Sequence, residues 1–367
     1  MTYSSTKQPF TILPAKLTTP NSSEALSDTT LSQQSISVAA SARLHLGFLD
    51  LNGDLGRHFG SIGLAVSSHQ TRISLTTGKA AAVIPLDDAS QQKIDKLVKL
   101  FYQSLGMHIP AENHQSNFQV HSLIPEHAGL GSGTQLALVI GQLLASYHQL
   151  KVSPAQIAKA MGRGKRSGIG ISTFDQGGFI VDAGSGPQST TPASIVRHDF
   201  PAQWRLVMLM NKQQQGVHGQ TEIEAFKTLP KFPLEYSQRI CHLTLMQLLP
   251  ALVEEDIELF GSAITEIQAL IGQHFAPVQG GQYACQSIAT LLQHAQSLGF
   301  SGVAQSSWGP TACIFTNSQS QADRLITALR ELMATNTSLQ DIELLSAAGV
   351  NQGADITIGN QSSIHKP

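Results

Sequence analysis

The segment from Gly129 to Thr134 places glycines at every second position immediately before the apolar run that starts at Leu136. Alternate glycines allow positive φ angles, so successive backbone N–H groups can face one concavity. A helix that begins there adds unpaired N–H groups and the positive end of its dipole. The pattern predicts a phosphate-binding loop with extra hydroxyl groups from Ser132 and Thr134. A glycine-rich turn that only caps a buried helix would have the same spacing.

The composition argues against two classes of partner. With 23 basic and 25 acidic side chains, the chain lacks the charge excess that favours nucleic acid or an anionic membrane. No apolar stretch approaches the roughly 20 residues of a membrane-spanning helix, and the start of the chain lacks a signal-peptide pattern. Three widely spaced cysteines predict neither disulfides nor a zinc site. We therefore expect a soluble, cytoplasmic protein, and a homodimer is one option for its assembly.

Local patterns predict how the chain is organised. Residues 1–35 are rich in Ser, Thr, Gln and Pro, which predicts a disordered tail. An N-terminal domain is expected over residues 36–195 and a C-terminal domain over residues 196–367. The spacing of apolar residues predicts one long strand, or two strands joined at a bend, over 36–51. It predicts further strands near 61–68, 72–77, 118–123, 179–181, 204–210, 302–305 and 312–316, and helices near 93–105, 134–149, 154 onward, 233–252, 255–271, 287–298 and 322–333.

Two further segments carry groups suited to anions. In the first predicted strand, alternation puts Arg43 and His45 on one face and apolar side chains on the other. The segment from Arg163 to Gly170 places Arg163, Lys165 and Arg166 among glycines, and the isolated acid Asp175 follows. A solvated helix end has a similar composition. Beside a phosphate loop, however, the arginines suit bidentate contacts and Asp175 suits a base or a metal ligand.

The segment from Ser306 to Thr311 is a third candidate. Its hydroxyl groups and the backbone at Gly309 suit a second phosphate or a ribose, although a tight turn between two strands is the alternative. Trp308 could stack on an aromatic ligand, but core packing is the preferred interpretation of this side chain.

These segments together resemble a known superfamily. The loop from Pro125 to Thr134 is similar to the second motif of the GHMP superfamily, which includes galactokinase, homoserine kinase and mevalonate kinase. Within it, the chain after the tail most resembles the β-ribofuranosylaminobenzene 5′-phosphate synthase family, which begins methanopterin assembly. The segments that carry the resemblance begin at Arg43, Gly60, Gly129, Gly162, Phe174 and Gln305, in family order.

The resemblance implies an α+β, two-domain GHMP fold. Its N-terminal α/β domain would contain a left-handed βαβ unit and the phosphate loop, and its C-terminal domain would be ferredoxin-like. It also implies that phosphoribosyl pyrophosphate and 4-hydroxybenzoate, or a close aromatic acid, react with Mg²⁺ to give a C-riboside, CO₂ and pyrophosphate. The metal ligands stay unassigned.

The resemblance also implies roles for individual residues. Asp175 and His45 are the candidate bases for the phenol proton. The expected phosphate-binding residues are Gly129, Leu130, Gly131, Ser132, Gly133 and Thr134. The expected substrate-binding residues are Arg43, Arg163, Arg166, Ser167, Ser306, Ser307, Trp308, Gly309 and Thr311.

Two other functions stay open at this point. Kinases of the superfamily carry an Asp-Gln pair after a glycine-rich turn, and Asp175-Gln176 resembles that pair, so an ATP-dependent small-molecule kinase is one alternative. A noncatalytic protein that binds a phosphorylated metabolite is the other. The basic segment from Arg163 to Gly170 favours the synthase.

Overall fold

The computed structural model describes residues 34–76, 84–214, 216 and 228–360. The predicted tail therefore lies outside the described residues, except that Gln34 and Ser35 already belong to the first strand. From Gln33 onward the chain forms one compact unit. The division into two domains stays a prediction, and its boundary after residue 195 cuts a strand of the first sheet, Ser194–His198. Within the described residues, no helix has the length and apolar character needed to cross a bilayer.

The first sheet has six strands in the described residues. Their order is β10-β1-β2-β4-β5, with β3 also paired to β2, and every pairing is antiparallel. β3 and β4 thus run in the same direction beside β2, joined through helices. The strands are β1 (Gln34–Asp50), β2 (Phe59–Thr76), β3 (Phe118–Ser122), β4 (Phe179–Asp182), β5 (Ser194–His198) and β10 (Asp355–Asn360).

The long strand β2 corrects one expectation, because two strands were predicted over its length. Ser41 pairs with Gln70 whereas Ala42 pairs with Val66, so the irregularity falls within residues 67–69. A β-bulge bends a strand without ending it, which explains why the polar interruption did not become a turn.

Four helices accompany this sheet: α1 (Asp88–Tyr102), α2 (Ser132–Tyr147), α3 (Pro154–Ala160) and α4 (Ile169–Gln176). α2 is buried over most of its length, as predicted, and Ser153 caps α3 in a capping box. α4 was not predicted, because its glycines resemble a loop. A Cβ on Gly170 would lie 2.9 Å from the Thr134 side chain. The absence of a side chain at Gly170 therefore allows α4 to pack closely against α2.

The second sheet has the order β7-β8-β6-β9, with all pairings antiparallel. Its sequence of strand, helices, two strands, helix and strand is the predicted ferredoxin-like arrangement. The strands are β6 (Arg205–Asn211), β7 (Val303–Gln305), β8 (Thr311–Thr316) and β9 (Ile342–Ala347). The helices are α5 (Leu234–Leu243), a π turn (Thr244–Leu248), α6 (Leu249–Val253), α7 (Ile257–Gln279), α8 (Gln286–Ser297) and α9 (Gln319–Thr335).

One hydrophobic core joins the two sheets. Leu44 and Phe179 from the first sheet belong to the same buried cluster as Leu206, Phe260 and Phe315 of the second part of the chain. Burying apolar surface stabilises by roughly 25 cal/mol per Å², so this cluster holds β1 firmly beside the turn between β7 and β8. That contact positions the candidate site.

Candidate functional site

The glycine loop leads from β3 into α2 with the geometry that its sequence predicts. Gly129 and Gly131 have φ angles of +79° and +80°. Gly131 is the N-cap of α2, in a left-handed conformation, and no side chain caps the helix. The first N–H groups of this 16-residue helix, at Ser132 and Gly133, therefore have no partner within the helix, and both residues line a cleft. Backbone groups arranged in this way suit an anion.

The turn between β7 and β8 supports the loop from behind. A Cβ on Gly129 would lie 2.5 Å from the carbonyl oxygen of Ser306, and a Cβ on Gly309 would lie 2.6 Å from the Gly129 backbone. The Ser306 hydroxyl donates to the Gly129 carbonyl at 2.7 Å and accepts from the His45 backbone N–H at 3.0 Å. The Ser307 N–H donates to the His45 carbonyl. β1, the glycine loop and this turn thus form one hydrogen-bonded unit.

This arrangement corrects part of the expected substrate site. Ser306 and Thr311 are fully buried, so neither hydroxyl is open to a phosphate or ribose. The Ser306 hydroxyl holds the backbone, whereas the Thr311 hydroxyl has no hydrogen-bond partner among the described residues. Gly309 serves the close packing of two backbones. Trp308 is 7% exposed and packs edge-on against Phe275 at 4.7 Å, as the core interpretation predicted. Ser307 alone of these hydroxyl groups is exposed.

Arg43 connects β1 to the glycine loop. Its Nη1 donates to the Gly129 carbonyl at 2.9 Å, and its backbone N–H donates to the Leu130 carbonyl at 3.1 Å. The guanidinium lies against Gly131, where a Cβ would be 2.9 Å from Nε. Nε has no hydrogen-bond partner among the described residues. Burial lowers the pKa of Arg43 to about 10, so the side chain stays charged at neutral pH.

A basic cleft opens in front of the helix start. Its volume is about 730 Å³, and Ser132, Gly133, Arg163 and Arg166 are among its lining residues. The Arg163 guanidinium lies against Gly133, where a Cβ would be 3.4 Å from Nη1. Burial lowers the pKa of Arg163. The cleft therefore combines backbone donors with two of the predicted arginines.

Sequence reasoning missed two lysines of this cleft. Lys93 and Lys96 of α1 line it, and Lys93 forms an ion pair with Glu126. Their spacing on the polar side of α1 looks like an ordinary solvated helix face, so nothing local distinguished them.

Ser167 has a partner that was also missed. The buried Asp182, at the end of β4, accepts from the Ser167 hydroxyl at 3.2 Å, the Gly168 N–H at 2.8 Å and the Gly184 N–H at 2.8 Å. Burial raises the pKa of Asp182, and these hydrogen bonds oppose that change. The Asp182 carboxylate thereby fixes the backbone next to Arg166. The Ser167 hydroxyl takes part in this structural contact.

Asp175 lies near the end of α4, and the structure records no hydrogen bond between it and the glycine loop among the described residues. The first turn of α4 meets the loop, because the Gln135 side chain donates to the Gly170 carbonyl at 2.9 Å. Asp175 lies about 7.5 Å further along the helix axis at 1.5 Å per residue, is exposed, and accepts from the Gln176 amide. The unpredicted helix α4 places Asp175 at its far end, and Asp175 is not among the residues that line the basic cleft. Its catalytic role stays a prediction without geometric support.

We expect Asp175→Asn to leave turnover within about twofold of the wild type, since exposed side chains away from a site have small effects. Steady-state kinetics with varied Mg²⁺ would measure this. A fall of about a hundredfold or more, the usual loss for a general base, would restore the catalytic role of Asp175.

His45 lies at the junction of β1, the loop and the β7–β8 turn. It is 5% exposed, and its Nε2 has no hydrogen-bond partner within the described residues. Burial, together with the charges of Arg43 and Arg166, lowers the pKa of His45 to about 3. The ring is therefore neutral at physiological pH. It can accept a hydrogen bond, but it is a poor acceptor of a whole proton.

The depressed pKa of His45 predicts a pH-dependent stability. Between about pH 6.5 and about pH 3 the unfolded chain binds a proton on His45 that the folded protein excludes. The free energy of unfolding should therefore fall as the pH drops through this window, by up to about 1.4 kcal/mol per pH unit. Urea unfolding of the wild type and of His45→Phe at several pH values isolates this contribution. Equal slopes for both proteins would contradict the buried neutral state.

Two family models and several curated relatives match this chain. The family model described as "GHMP kinases N terminal domain" matches residues 92–181, and "GHMP kinases C terminal" matches residues 248–335. The chain is 31% identical over 332 residues to a protein of Methanothermobacter thermautotrophicus named beta-ribofuranosylphenol 5′-phosphate synthase, which covers 85% of this chain and 96% of the relative. A relative of the same name from Archaeoglobus fulgidus is 32% identical, covering 76% of this chain and 86% of the relative.

Solved structures share the fold. A homoserine kinase of Cytophaga hutchinsonii superposes with a TM-score of 0.60 at 16% identity, over 91% of this chain and 100% of that chain. The mevalonate diphosphate decarboxylase of Staphylococcus aureus gives 0.60 at 13% identity, over 89% and 98%. At these identities the likeness shows the GHMP fold alone, which confirms the predicted fold class.

Proposed function

The chain belongs to the β-ribofuranosylphenol 5′-phosphate synthase family of enzymes, and we propose that it joins phosphoribosyl pyrophosphate to 4-hydroxybenzoate with loss of CO₂ and pyrophosphate. This reaction would be the first committed step of methanopterin biosynthesis. The word phenol in the relatives' name agrees with 4-hydroxybenzoate as the aromatic acid. The observation that carries the proposal is the meeting of an uncapped helix start with three arginines, Arg43, Arg163 and Arg166.

The leaving group sets the main demand on the site. When the bond between the anomeric carbon and the pyrophosphate oxygen breaks, its electron pair leaves with pyrophosphate. The N–H groups at the start of α2 and the guanidinium groups of Arg43 and Arg163 would stabilise that charge, because they are fixed before the reaction begins. A planar guanidinium can contact two oxygens of one phosphate.

Bond formation follows at the ring carbon that carries the carboxylate. Its electrons form the new C–C bond to the anomeric carbon, and the bond to the carboxylate then breaks and returns its pair to the ring as CO₂ leaves. The overall reaction transfers no net proton. A strong base is therefore not required, and a neutral His45 that accepts a hydrogen bond from the phenol would suffice to enrich the ring in electrons.

The residues of the cleft fit Mg²⁺ as a companion of the substrate. No cluster of three His, Cys, Asp or Glu side chains able to hold a metal occurs among the described residues. Mg²⁺ is commonly held by substrate phosphates, water and one or two protein oxygens. The Ser132 hydroxyl and the Glu126 carboxylate, which both line the cleft, would be those oxygens. When bound, the ion would neutralise charge on the pyrophosphate.

Release of labelled CO₂ tests the proposal. The purified protein is incubated with Mg²⁺, phosphoribosyl pyrophosphate and carboxyl-labelled 4-hydroxybenzoate, and label is expected in CO₂ only when both substrates are present. A control with ATP and small alcohols tests the kinase alternative. Leu97, Leu100 and Leu136 form an aliphatic wall in the cleft, and such a wall could pack against the base of a nucleotide. ATP turnover without CO₂ release would replace the synthase by a kinase. Binding without turnover would favour a noncatalytic protein.

The cellular location and the oligomeric state of the enzyme are also part of the proposal. Three free cysteines, of which Cys285 and Cys313 are buried, suit a reducing cytoplasm. Assembly as a homodimer also stays a proposal, and it can be measured by light scattering.

A further inference from the structure

A second cavity adjoins the turn that supports the glycine loop. Its volume is about 30 Å³, and it lies between the end of β1 and the C-terminal half of α7. Phe48, Phe275 and Trp308 contribute aromatic rings to its wall, and glutamine side chains contribute amides. None of the described residues that line it is Asp, Glu, Lys or Arg. The basic cleft, in contrast, contains several cations.

The imidazole of His45 lines this cavity, and its backbone is held in place by hydrogen bonds. The backbone of His45 is held on both sides, by the Ser306 hydroxyl and by the Ser307 N–H. Its ring packs edge-on against Phe48 at 4.6 Å, and its buried Nε2 has no hydrogen-bond partner in the described parts of the chain. A buried polar atom without a partner calls for an explanation, such as a ligand that supplies the missing hydrogen bond.

We infer that this cavity is the subsite for the aromatic ring, with the phenol hydroxyl donating to His45 Nε2 and the carboxylate end at the cavity mouth. The inference rests on the proposed function. Aromatic rings pack well edge to face, and a neutral wall suits the phenol end. A carboxylate would be unfavourable there without a charged partner. At the cavity mouth the carboxylate end would stay in contact with water, so it would not lose its hydration.

This orientation also suits the reaction. The ring carbon that attacks carries the carboxylate and lies para to the hydroxyl. Placing the hydroxyl at His45 therefore leaves the reacting carbon at the cavity mouth, where the second substrate can approach it.

The resting cavity has room for about one or two water molecules, so it must widen to admit a ring. Gln282 lies on its rim with an exposed side chain, and the amide of Gln282 makes only a long, 3.5 Å contact with the Tyr283 hydroxyl. Turning this side chain towards solvent breaks no strong interaction. We expect the rim to open in this way when the acid binds.

Binding measurements on a filled cavity test the subsite. Ile271 lines the cavity and its side chain packs against Gly47. Ile271→Phe should raise the Kd for 4-hydroxybenzoate at least about tenfold while the Kd for phosphoribosyl pyrophosphate stays within about twofold, as measured by calorimetry. Leu259→Phe, on the exposed side of the same helix, is the matched control and should change neither value.

Two further variants keep the inference falsifiable if Ile271→Phe fails to fold. In His45→Phe, the preference for 4-hydroxybenzoate over benzoate should fall to about one, because the hydrogen bond to the hydroxyl is lost. Leu100→Phe fills the aliphatic wall of the basic cleft instead. If Leu100→Phe weakens 4-hydroxybenzoate binding while Ile271→Phe and His45→Phe do not, the ring binds in the basic cleft and the inference is overturned.

The inference and the proposed function fail differently. If the wild type releases labelled CO₂ but Ile271→Phe and His45→Phe leave the acid's binding unchanged, only the subsite is wrong. If the wild type neither binds 4-hydroxybenzoate nor releases CO₂, the proposed function falls and the subsite with it.

Discussion

Gly131→Val is expected to weaken the binding of phosphoribosyl pyrophosphate by about ten- to a hundredfold, which corresponds to about 1.4–2.8 kcal/mol. Gly131 has a φ of +80° and precedes the first helical residue of α2. A Cβ there would lie 2.9 Å from both Cγ and Nε of Arg43, so valine must displace this arginine. The same change disturbs the N–H groups at the helix start. Calorimetry with phosphoribosyl pyrophosphate measures the effect.

Backbone strain alone must be separated from this steric effect. Gly299 has a similar φ of +89°, and no heavy atom lies within 4 Å of a Cβ added there. Gly299→Val therefore carries a comparable strain, on the order of 1–3 kcal/mol, without touching the loop. It should lower the melting temperature and leave affinity intact. Equal affinity losses in both variants would show that the glycine loop does not bind the ligand.

The sequence predicted the glycine loop well because its information is local. Positive φ at Gly129 and Gly131 and a helix start at Ser132 follow from the glycine spacing and the apolar run. The juxtaposition of Arg43 and His45 on β1 followed from alternation in the same way. Elements with a strong local pattern need no knowledge of their neighbours.

Other parts of the site depend on contacts between distant segments, and these were missed. Nothing near Asp182 indicates that its carboxylate accepts hydrogen bonds from Ser167 and Gly168. The burial of Ser306 depends on Gly129, which lies 177 residues earlier in the chain. α4 was not predicted because glycines disfavour a helix locally. The reason for Gly170 is its close packing against Thr134, which lies far away in the sequence.

Arg43→Lys is expected to reduce kcat by about 10² to 10³-fold, the range seen when one fixed donor to a developing negative charge is lost. The buried guanidinium already uses Nη1 to hold the Gly129 carbonyl at 2.9 Å. Its Nε is buried and has no hydrogen-bond partner among the described residues, so a ligand oxygen would supply the missing hydrogen bond. A lysine keeps the charge but has a single nitrogen, so it cannot hold the loop and present a planar fork at once.

Arg57→Lys supplies the matched control. Arg57 also donates to backbone carbonyls, those of Ala183 and Gly184, but it is exposed and outside the cleft. If holding carbonyls were all that Arg43 did, both lysine variants would lose stability and keep kcat. We expect kcat to fall in the Arg43 variant alone, with a smaller change in the KM for phosphoribosyl pyrophosphate, because the fork would act mainly as charge develops on the leaving group.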